Sequence, residues 1–380
     1  MEEKKVPKLR FKGFVQEWEQ RKLGELYKER KEKGNNKLPI LSVSIHSGVS
    51  DSELNSDSLG KDVKRSEDKT LYKRTYSGDL VFNMMRAWQG AIGVVKNEGM
   101  VSPAYIVATP NNKIFPGFMN YYFQRKPAIY ELNNLSYGVT DFRKRLYWDS
   151  FIKAHTIFPS ISEQKKISDF FLKIDDTIAL HQRKIEQLKL FKQAFLQKML
   201  ANQENVPEIR FADFDVYWEQ HTLGETTDIR AGRDYKHLKS GNIPVYGTGG
   251  YMLSVDDALS FDKDAIGIGR KGTIDNPYIL KAPFWTVDTL FYVIPRNGNE
   301  IDFFYSVFQK INWKSKDEST GVPSLSKSAI NSILVYAPSK DEQKKIGAFF
   351  KYFDENILIH QHKVNLLKQL KKAFLQKMFI

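Results

Sequence analysis

Ser162–Leu200 reads SEQKKISDFFLKIDDTIALHQRKIEQLKLFKQAFLQKML, and Asp341–Phe379 reads DEQKKIGAFFKYFDENILIHQHKVNLLKQLKKAFLQKMF. The two align without a gap at a constant offset of 341 − 162 = 179, and about half of their positions are identical. In the first, Ile167, Phe171, Ile174, Ile178, His181, Ile185, Leu188, Phe195 and Met199 fall on a seam of alternating steps of four and three, with Lys192 filling its one gap. In the second, Ile346, Phe350, Phe353, Ile357, His360, Val364, Leu367, Phe374 and Met378 fall on the same seam, with Lys371 in the gap. A mean spacing of about 3.5 residues, kept up over heptad after heptad, predicts coiled-coil helices rather than the wider stripe of a globular helix. Proline is absent from both stretches, and only Gly347 interrupts them. At about 1.5 Å per residue each helix is on the order of 55 Å long. No small domain needs two such rods, so each finds its simplest partner in the other. The polar residues at matched places, His181/His360 and Lys192/Lys371, are expected to fix helix register. Two histidines with no carboxylate or cysteine beside them make a poor metal site.

Outward from the helices the chain repeats again. Val6–Leu26, VPKLRFKGFVQEWEQRKLGEL, matches Val206–Thr226, VPEIRFADFDVYWEQHTLGET, at an offset of 206 − 6 = 200. Arg10/Arg210, Phe11/Phe211, Trp18/Trp218 and the Leu-Gly-Glu ending are shared, and the polar Ala201–Asn205 reads as a linker. The expected order is a first globular segment (1–160), a long helix (161–201), a second globular segment (202–340) and a second long helix (341–380). Two units are too few for a solenoid and suit a twofold dimer fused head to tail. The expected fold class is α+β: two globular mixed α/β segments separated by two long helices that pack as an antiparallel coiled coil, with a pseudo-twofold internal repeat.

The globular segments have diverged much further. Runs at Asp79–Asn83, Gly90–Val95 and Leu290–Ile294 read as strands. Pro110-Asn111-Asn112 leads to Phe118 and Phe123-Gln124-Arg125, as Pro295-Arg296-Asn297 leads to Phe303 and Phe308-Gln309-Lys310, each pattern predicting an amphipathic helix. Gly138-Val139-Thr140 and Gly321-Val322-Pro323 follow, each succeeded by basic and hydroxyl residues. A repeated scaffold around variable inserts is what two readers of two different targets require.

Composition narrows the classes. The 380 residues are a prior for two or three domains. Zero cysteines exclude disulfides and thiolate zinc sites and suit a reducing cytosol. No apolar run approaches the roughly 18 residues of a membrane span, and MEEKK lacks the apolar stretch of a signal peptide, so a cytoplasmic protein without a membrane partner is expected. A net charge of +13 points toward a polyanion.

Catalytic motifs are weak. Gly267-Ile268-Gly269-Arg270-Lys271-Gly272 fits G-x-G-x-x-G, but a dinucleotide fingerprint needs a helix to open there. Thr273-Ile274-Asp275-Asn276-Pro277 is a turn-forming run that cannot sustain one. The same glycines suit a tight turn presenting Arg270 and Lys271 to phosphate or guanine edges. Asp275-Asn276-Pro277-Tyr278 lacks the second proline of an amino-methyltransferase motif, and no P-loop or H-E-x-x-H pattern occurs. Asp262 and Asp264, beside Lys263, read as a charged turn rather than nuclease carboxylates. No catalytic residue and no metal site are assigned.

The pattern that fits nucleic acid is cations interleaved with aromatics and amides. In the first segment the candidates are Lys64, Arg65, Lys73, Arg74, Asn83, Arg86, Gln89, Tyr137, Arg143, Lys144 and Arg145. In the second they are Arg230, Arg233, Lys236, Tyr246, Thr248, Arg270, Lys271, Lys314, Lys316, Ser324 and Lys327. Lysine and arginine neutralise phosphates, while arginine, asparagine and glutamine form bidentate pairs with guanine or adenine. For any single lysine a solvated surface is the competing reading. Arg86 and Gln89, set among Asn83, Met84, Met85, Trp88 and Gly90, are the sharper candidates, and Trp88 is assigned to core packing.

The paired EQKKI…HQ…AFLQKM helices and the RF…F…WEQ…LGE openings make the chain resemble the specificity subunit of type I restriction–modification enzymes. NIPVYGTGGYM (242–252), AIGIGRKGTIDNPYI (265–279), PFWTVDTLFYV (283–293), GDLVFNMMRAWQGAIGVV (78–95) and MVSPAYIV (100–107) are similar to recurrent patterns of its target recognition domains. The resemblance covers essentially the whole chain. It implies two target recognition domains at opposite ends of an antiparallel helix pair, each reading half of a bipartite, asymmetric site on double-stranded DNA, with helix length helping to set the gap. Readers on one duplex face should lie about one helical turn apart, near 34 Å. It also implies two modification subunits docked on the helices and two motor–nuclease restriction subunits. S-adenosylmethionine, ATP and Mg²⁺ would be bound by those partners, with no cofactor in this chain and the flipped adenine held in the partner's pocket. A DNA-binding or structural protein acting without such partners, or an enzyme acting alone, is the alternative class.

Overall fold

Both predicted rods form: one α-helix runs through Ile161–Met199 and another through Lys340–Lys377. The computed structural model describes residues 5–35, 37–45, 48–50, 69–140, 143–201 and 205–380. The chain divides into two compact units, Met1–Leu180 with Val364–Ile380, and His181–Lys363. Each unit therefore contains a globular segment and stretches of both long helices.

Within each unit the helices run antiparallel, because partner numbers fall on one as they rise on the other. In the first unit Phe170 meets Phe374 edge-on at 5.0 Å, and Lys371 Nζ donates to Asp175 at 2.6 Å. In the second, His181 and His360 meet Nδ1 to Nδ1 at 2.9 Å, Lys192 Nζ donates to Asp354 at 2.5 Å, and Phe195 packs on Phe349 at 5.1 Å. Ile167, Phe171, Ile178, Ile185 and Leu188 are buried on one helix, as are Ile346, Phe350, Phe353 and Val364 on the other. Ile174, Phe195, Ile357, Leu367 and Phe374 are half-buried. The polar seam residues thus find partners across the interface, as a register role requires.

Each unit is built around one four-stranded antiparallel sheet. In the first the order is Tyr27–Glu29, Tyr105–Pro110, Leu80–Asn83, Ile92–Val94; in the second it is Thr227–Ala231, Leu290–Pro295, Ala265–Gly269, Tyr278–Leu280. The order along the chain is also the same, so the two segments share a topology that their sequences barely show. A further strand pair closes each unit beside its long helix, Glu19–Lys22 with His155–Phe158 and Glu219–Thr222 with Leu334–Ala337. The predicted amphipathic helices form at Pro116–Tyr122 and Ile301–Lys310 and bury Phe118 and Phe303. What differs is the insert. The second unit holds a three-stranded sheet of Ser240–Gly247, Gly250–Val255 and Trp285–Thr286, whereas in the first the described residues pair Val43–Ser44 with Gly48–Val49 and Lys73–Thr75 with Gly99–Val101.

The repeated opening motif fastens each globular segment to its helices. Arg10 grips Glu163 in a bidentate pair, Nε and Nη2 each at 2.7 Å, and Nη2 also donates to the Gln16 carbonyl at 2.6 Å. Arg210 repeats this on Glu342 at 2.7 and 2.7 Å, with the Val216 carbonyl at 2.6 Å. Trp18 stands edge-on to Phe118 and Trp218 to Phe303, both at 5.9 Å. The adjacent Gln164 accepts from Phe115 N–H at 2.8 Å, and Gln343 from Glu300 N–H at 3.1 Å. At the other helix ends Leu9 N–H donates to the Lys377 carbonyl and Ile209 N–H to the Lys198 carbonyl. Arg125, which is buried, and Lys310, which is half-buried, bring cations to the carbonyls of Ile380 and Leu200, where a helix carboxyl end favours positive charge.

Gly347, the one interruption of the helical pattern, marks the crossing of the long helix with Ile301–Lys310. A Cβ there would meet Phe303 N at 2.9 Å and Asp302 Cβ at 3.0 Å. In the first unit the small residue stands on the opposite side of the equivalent crossing: a Cβ on Gly117 would meet Ser168 Oγ at 2.2 Å. The same close approach is met by trading which partner is glycine.

Candidate nucleic-acid interface

At one edge of each four-stranded sheet the last two strands in the order are joined by a hairpin loop, and that loop carries the sharpest candidates. In the first unit it runs from Met84 to Ala91 between Leu80–Asn83 and Ile92–Val94. A single 3-10 turn, Ala87–Gln89, ends on Gly90 at φ 108°, a left-handed conformation that glycine adopts without strain. Asn83 is buried, and its side-chain oxygen accepts from Met85 N–H at 3.0 Å, holding the turn. Trp88 is half-buried on the loop and joins none of the hydrophobic cores, unlike the core packing expected of it; its Nε1 donates to the Met85 carbonyl at 3.0 Å, and Lys144 Nζ lies 5.5 Å from its ring centroid. Arg86 and Gln89 are left exposed, and their side chains make no hydrogen bond or ion pair among the described residues.

A second loop lies against the first. Tyr137 and Arg145 exchange backbone hydrogen bonds of 3.0 Å, and Leu146 N–H donates to the Met84 carbonyl at 2.9 Å. Leu146 is fully buried and pins the loop to the hairpin. Tyr137 rests its exposed ring on Tyr147 at 4.9 Å, and Lys144 donates to Asn133 at 2.6 Å. Arg143 and Arg145 are exposed beside them. Residues more than fifty positions apart are thereby gathered into one cationic patch with aromatic and amide groups.

The second unit repeats the construction. Its hairpin loop, Arg270–Pro277, follows the fully buried strand Ala265–Gly269, and a Cβ on Gly269 would meet the Thr273 carbonyl oxygen at 1.9 Å. The glycines of G-x-G-x-x-G therefore serve a tight hairpin that leads into another strand, Tyr278–Leu280, rather than the mouth of a helix. Leu325, buried like Leu146, donates its N–H to the Arg270 carbonyl at 2.9 Å, and Lys271 bridges to Ser324. Arg270 is exposed, its guanidinium 5.7 Å from the Phe291 ring centroid. Lys271 and Lys316 are exposed without a side-chain partner among the described residues. Lys327 begins the short helix Lys327–Asn331 just beyond.

Other candidates stand apart or are already engaged. Lys73 donates to the Tyr105 carbonyl at 2.7 Å, and burial pushes its pKa down. Arg74 is held by Glu98 at 2.5 Å and Glu32 at 3.1 Å and lies over Tyr76. Arg230 pairs with Asp228 at 2.7 Å and Lys314 with Asp275 at 2.9 Å. Tyr246 is packed between Tyr251 and Tyr278. Thr248 sits at the tip of the hairpin between Ser240–Gly247 and Gly250–Val255, and Ser324 donates its backbone N–H to Asp317 at 2.9 Å. Arg233 and Lys236 are exposed on the loop before that hairpin. Lys64 and Arg65 lie outside the described residues. Asp264 is held by Lys281 at 2.6 Å and the Ala282 N–H at 3.0 Å, in keeping with a turn carboxylate. Sequence reading missed the leucine ties, since a backbone N–H to carbonyl bond leaves no side-chain signature. It also missed the Lys144–Trp88 contact, which crosses from one loop to the other.

Among the described residues no helix is long and apolar enough to cross a membrane, and no group of three or more His, Cys, Asp or Glu side chains is placed to hold a metal ion. The pattern of the type I restriction modification DNA specificity domain matches the chain twice, over residues 16–190 and 215–369. A stretch of 157 residues is 25% identical to the type I restriction enzyme EcoprrI specificity subunit of Escherichia coli, covering 38% of this chain and 38% of that relative. The fold is similar to the crystal structure of a type I restriction-modification system S subunit from M. genitalium, with a TM-score of 0.68, 18% identity and 99% of each chain covered. A structure described as the basis of complex assembly and conformational transition of the type I R-M system is similar at a TM-score of 0.53 and 14% identity, over 95% of this chain and 97% of that one. With both halves of the chain matched, each match spanning one globular segment and most of the long helix that follows it, the chain belongs to the type I restriction–modification DNA specificity family.

Proposed function

We propose that each unit reads one half of a bipartite, asymmetric site on double-stranded DNA through its hairpin loop and the loop pinned beside it. The observation that carries this reading is the construction itself: one sheet topology and one leucine tie, used twice, present different side chains in the two units. Arg86 and Gln89 serve the first half-site, with Arg143, Lys144 and Arg145 on phosphates; Arg270 and Lys271 serve the second, with Lys316 and Lys327 on phosphates. The paired helices hold the two readings at a set distance and dock two modification subunits, directing adenine-N6 methylation. Two restriction subunits complete the nuclease. This chain contributes recognition and no chemistry of its own; S-adenosylmethionine, ATP and Mg²⁺ belong to the partner subunits. The apolar side chains left exposed along the helices, among them Leu172, Leu190, Phe191, Leu358 and Leu366, support a docking role for those faces.

The test is a genome-wide map of N6-methyladenine in cells carrying this chain and its modification partner. Replacing residues 27–160 with the corresponding segment of another family member is expected to change one half of a gapped motif and leave the other intact. A change in both halves, or in neither, would refute the modular reading.

A further inference from the structure

Val139 and Val322 occupy the same place in two loops that otherwise share little. Each follows a glycine, and each loop is the one tied by a leucine N–H to the cationic hairpin. Val139 is 90% exposed and Val322 67%. Single exposed apolar side chains are ordinary on a protein surface, so exposure alone says nothing. Recurrence does, because cations, amides and even loop length change between the units: Val139 lies seven residues before Leu146 and Val322 three before Leu325 (146 − 139 and 325 − 322).

Both valines stand on held backbone. A Cβ on Gly138 would meet the Arg143 carbonyl oxygen at 2.4 Å, and Pro323, next to Val322, accepts from Gly272 N–H at 2.8 Å. A β-branched side chain on such backbone has little rotamer freedom to lose on contact. Arg143 and Arg145 lie beside the loop of the first valine, and Lys271, bridged to Ser324, lies beside that of the second. Cations there would track the phosphates and leave the valine facing base edges. In the major groove the apolar feature of a base edge is the 5-methyl group of thymine. We propose that Val139 and Val322 are specificity residues that each contact a thymine methyl group, one in each half-site.

This rests on the DNA-reading function proposed above, and the experiment separates the two. The full chain is used to select sequences from a random duplex library, made once with thymidine and once with deoxyuridine, which lacks only the methyl group. For the wild type, one thymine position in each half-site is expected to lose about fourfold in enrichment in the deoxyuridine library, the worth of one buried methyl-sized contact. Val139→Ala should abolish that loss in the first half-site alone, and Val322→Ala in the second alone. A defined motif whose enrichment is the same with either base, or a deoxyuridine effect that persists in both variants, would overturn the proposal while leaving DNA reading intact. No enriched motif from the wild type would overturn both. The two side chains are exposed, so their truncation should not disturb folding.

Discussion

Removing Arg10 should unfold the first unit far more easily than removing the carboxylate it holds. The Glu163 side chain is 1% exposed, and both of its oxygens accept from Arg10 at 2.7 Å, whereas the Arg10 side chain is 14% exposed. Arg10→Ala strands a buried carboxylate, for which the expected cost is about 3–5 kcal/mol. For a unit of this size that lowers the midpoint of its thermal transition by on the order of 10 °C. Glu163→Gln leaves a neutral acceptor facing a partly hydrated cation and should cost less than half as much. Arg10→Met with Glu163→Met removes both charges and should recover most of the single-mutant loss, because no buried charge is then left to carry a desolvation cost. The second unit supplies an internal control. Arg210 and Glu342 repeat the geometry at 2.7 and 2.7 Å with the carboxylate again 1% exposed, so Arg210→Ala should cost the same within the error. The assay is denaturant unfolding followed by tryptophan fluorescence, with Trp18, Trp88 and Trp148 reporting on one unit and Trp218, Trp285 and Trp313 on the other. Two transitions are fitted rather than one, since two units need not unfold together. A loss below about 1 kcal/mol, the range of exposed pairs, or a double substitution no better than Arg10→Ala, would refute the account.

Arg86→Ala and Arg270→Ala should each relax one half of the methylated motif by about 1–3 kcal/mol per lost bidentate contact, measured by competition binding with base-substituted duplexes; a uniform loss across all sequences would make them phosphate contacts. Lys192→Asp should weaken the helix pair by placing like charges where Lys192 meets Asp354 at 2.5 Å, and adding Asp354→Lys should restore it, read as helix content against temperature. Burial, then the neighbouring His181, Lys363 and Lys184, hold the His360 pKa below its ordinary 6.5. The unfolded chain therefore takes up a proton first, and stability should fall as pH drops below about 6.5 toward the folded value. Replacing both histidines with leucine should flatten that slope in unfolding midpoints measured between pH 7 and 5.

The helices were legible because every turn restates the same spacing, and a misread residue or two cannot hide it. The central sheets were harder. Leu80–Asn83 and Ala265–Gly269 are buried along their whole length, so the polar–apolar alternation that betrays a half-exposed strand is absent. The predicted Gly90–Val95 strand shortened to Ile92–Val94 because Gly90 is needed to close a turn. At the interface, composition marks Lys73, Arg74 and Arg143 no differently from one another, and only the local setting of Arg86 raises it above them. What separates them is whether a carboxylate or carbonyl lies within reach in the folded chain, and Glu32, Glu98 and the Tyr105 carbonyl come near only through pairing of strands distant in sequence. No property of the individual residues carries that information.

The repeat also explains why the helices pair as they do. Asp175 and Lys192 recur at the offset of 179 as Asp354 and Lys371, so both helices carry the same polar pattern in the same order. A parallel, in-register pair would set lysine against lysine, aspartate against aspartate. Turned antiparallel, Lys371 meets Asp175 in one unit and Lys192 meets Asp354 in the other, while His181 meets His360. Duplication of one helix therefore produces its own complement and disfavours the competing orientation, an outcome that unrelated helices reach only with two matched patterns. The anchoring pairs Arg10–Glu163 and Arg210–Glu342 follow the same logic, each opening motif finding its carboxylate at the head of a helix. Residues bound by this self-complementarity cannot drift independently: a change on one helix must be answered on the other. Arg86, Gln89, Arg270 and Lys271 lie on hairpin loops outside the paired helices, so a change there needs no answering change across the helix pair, and under the proposed function each half could come to read a different sequence.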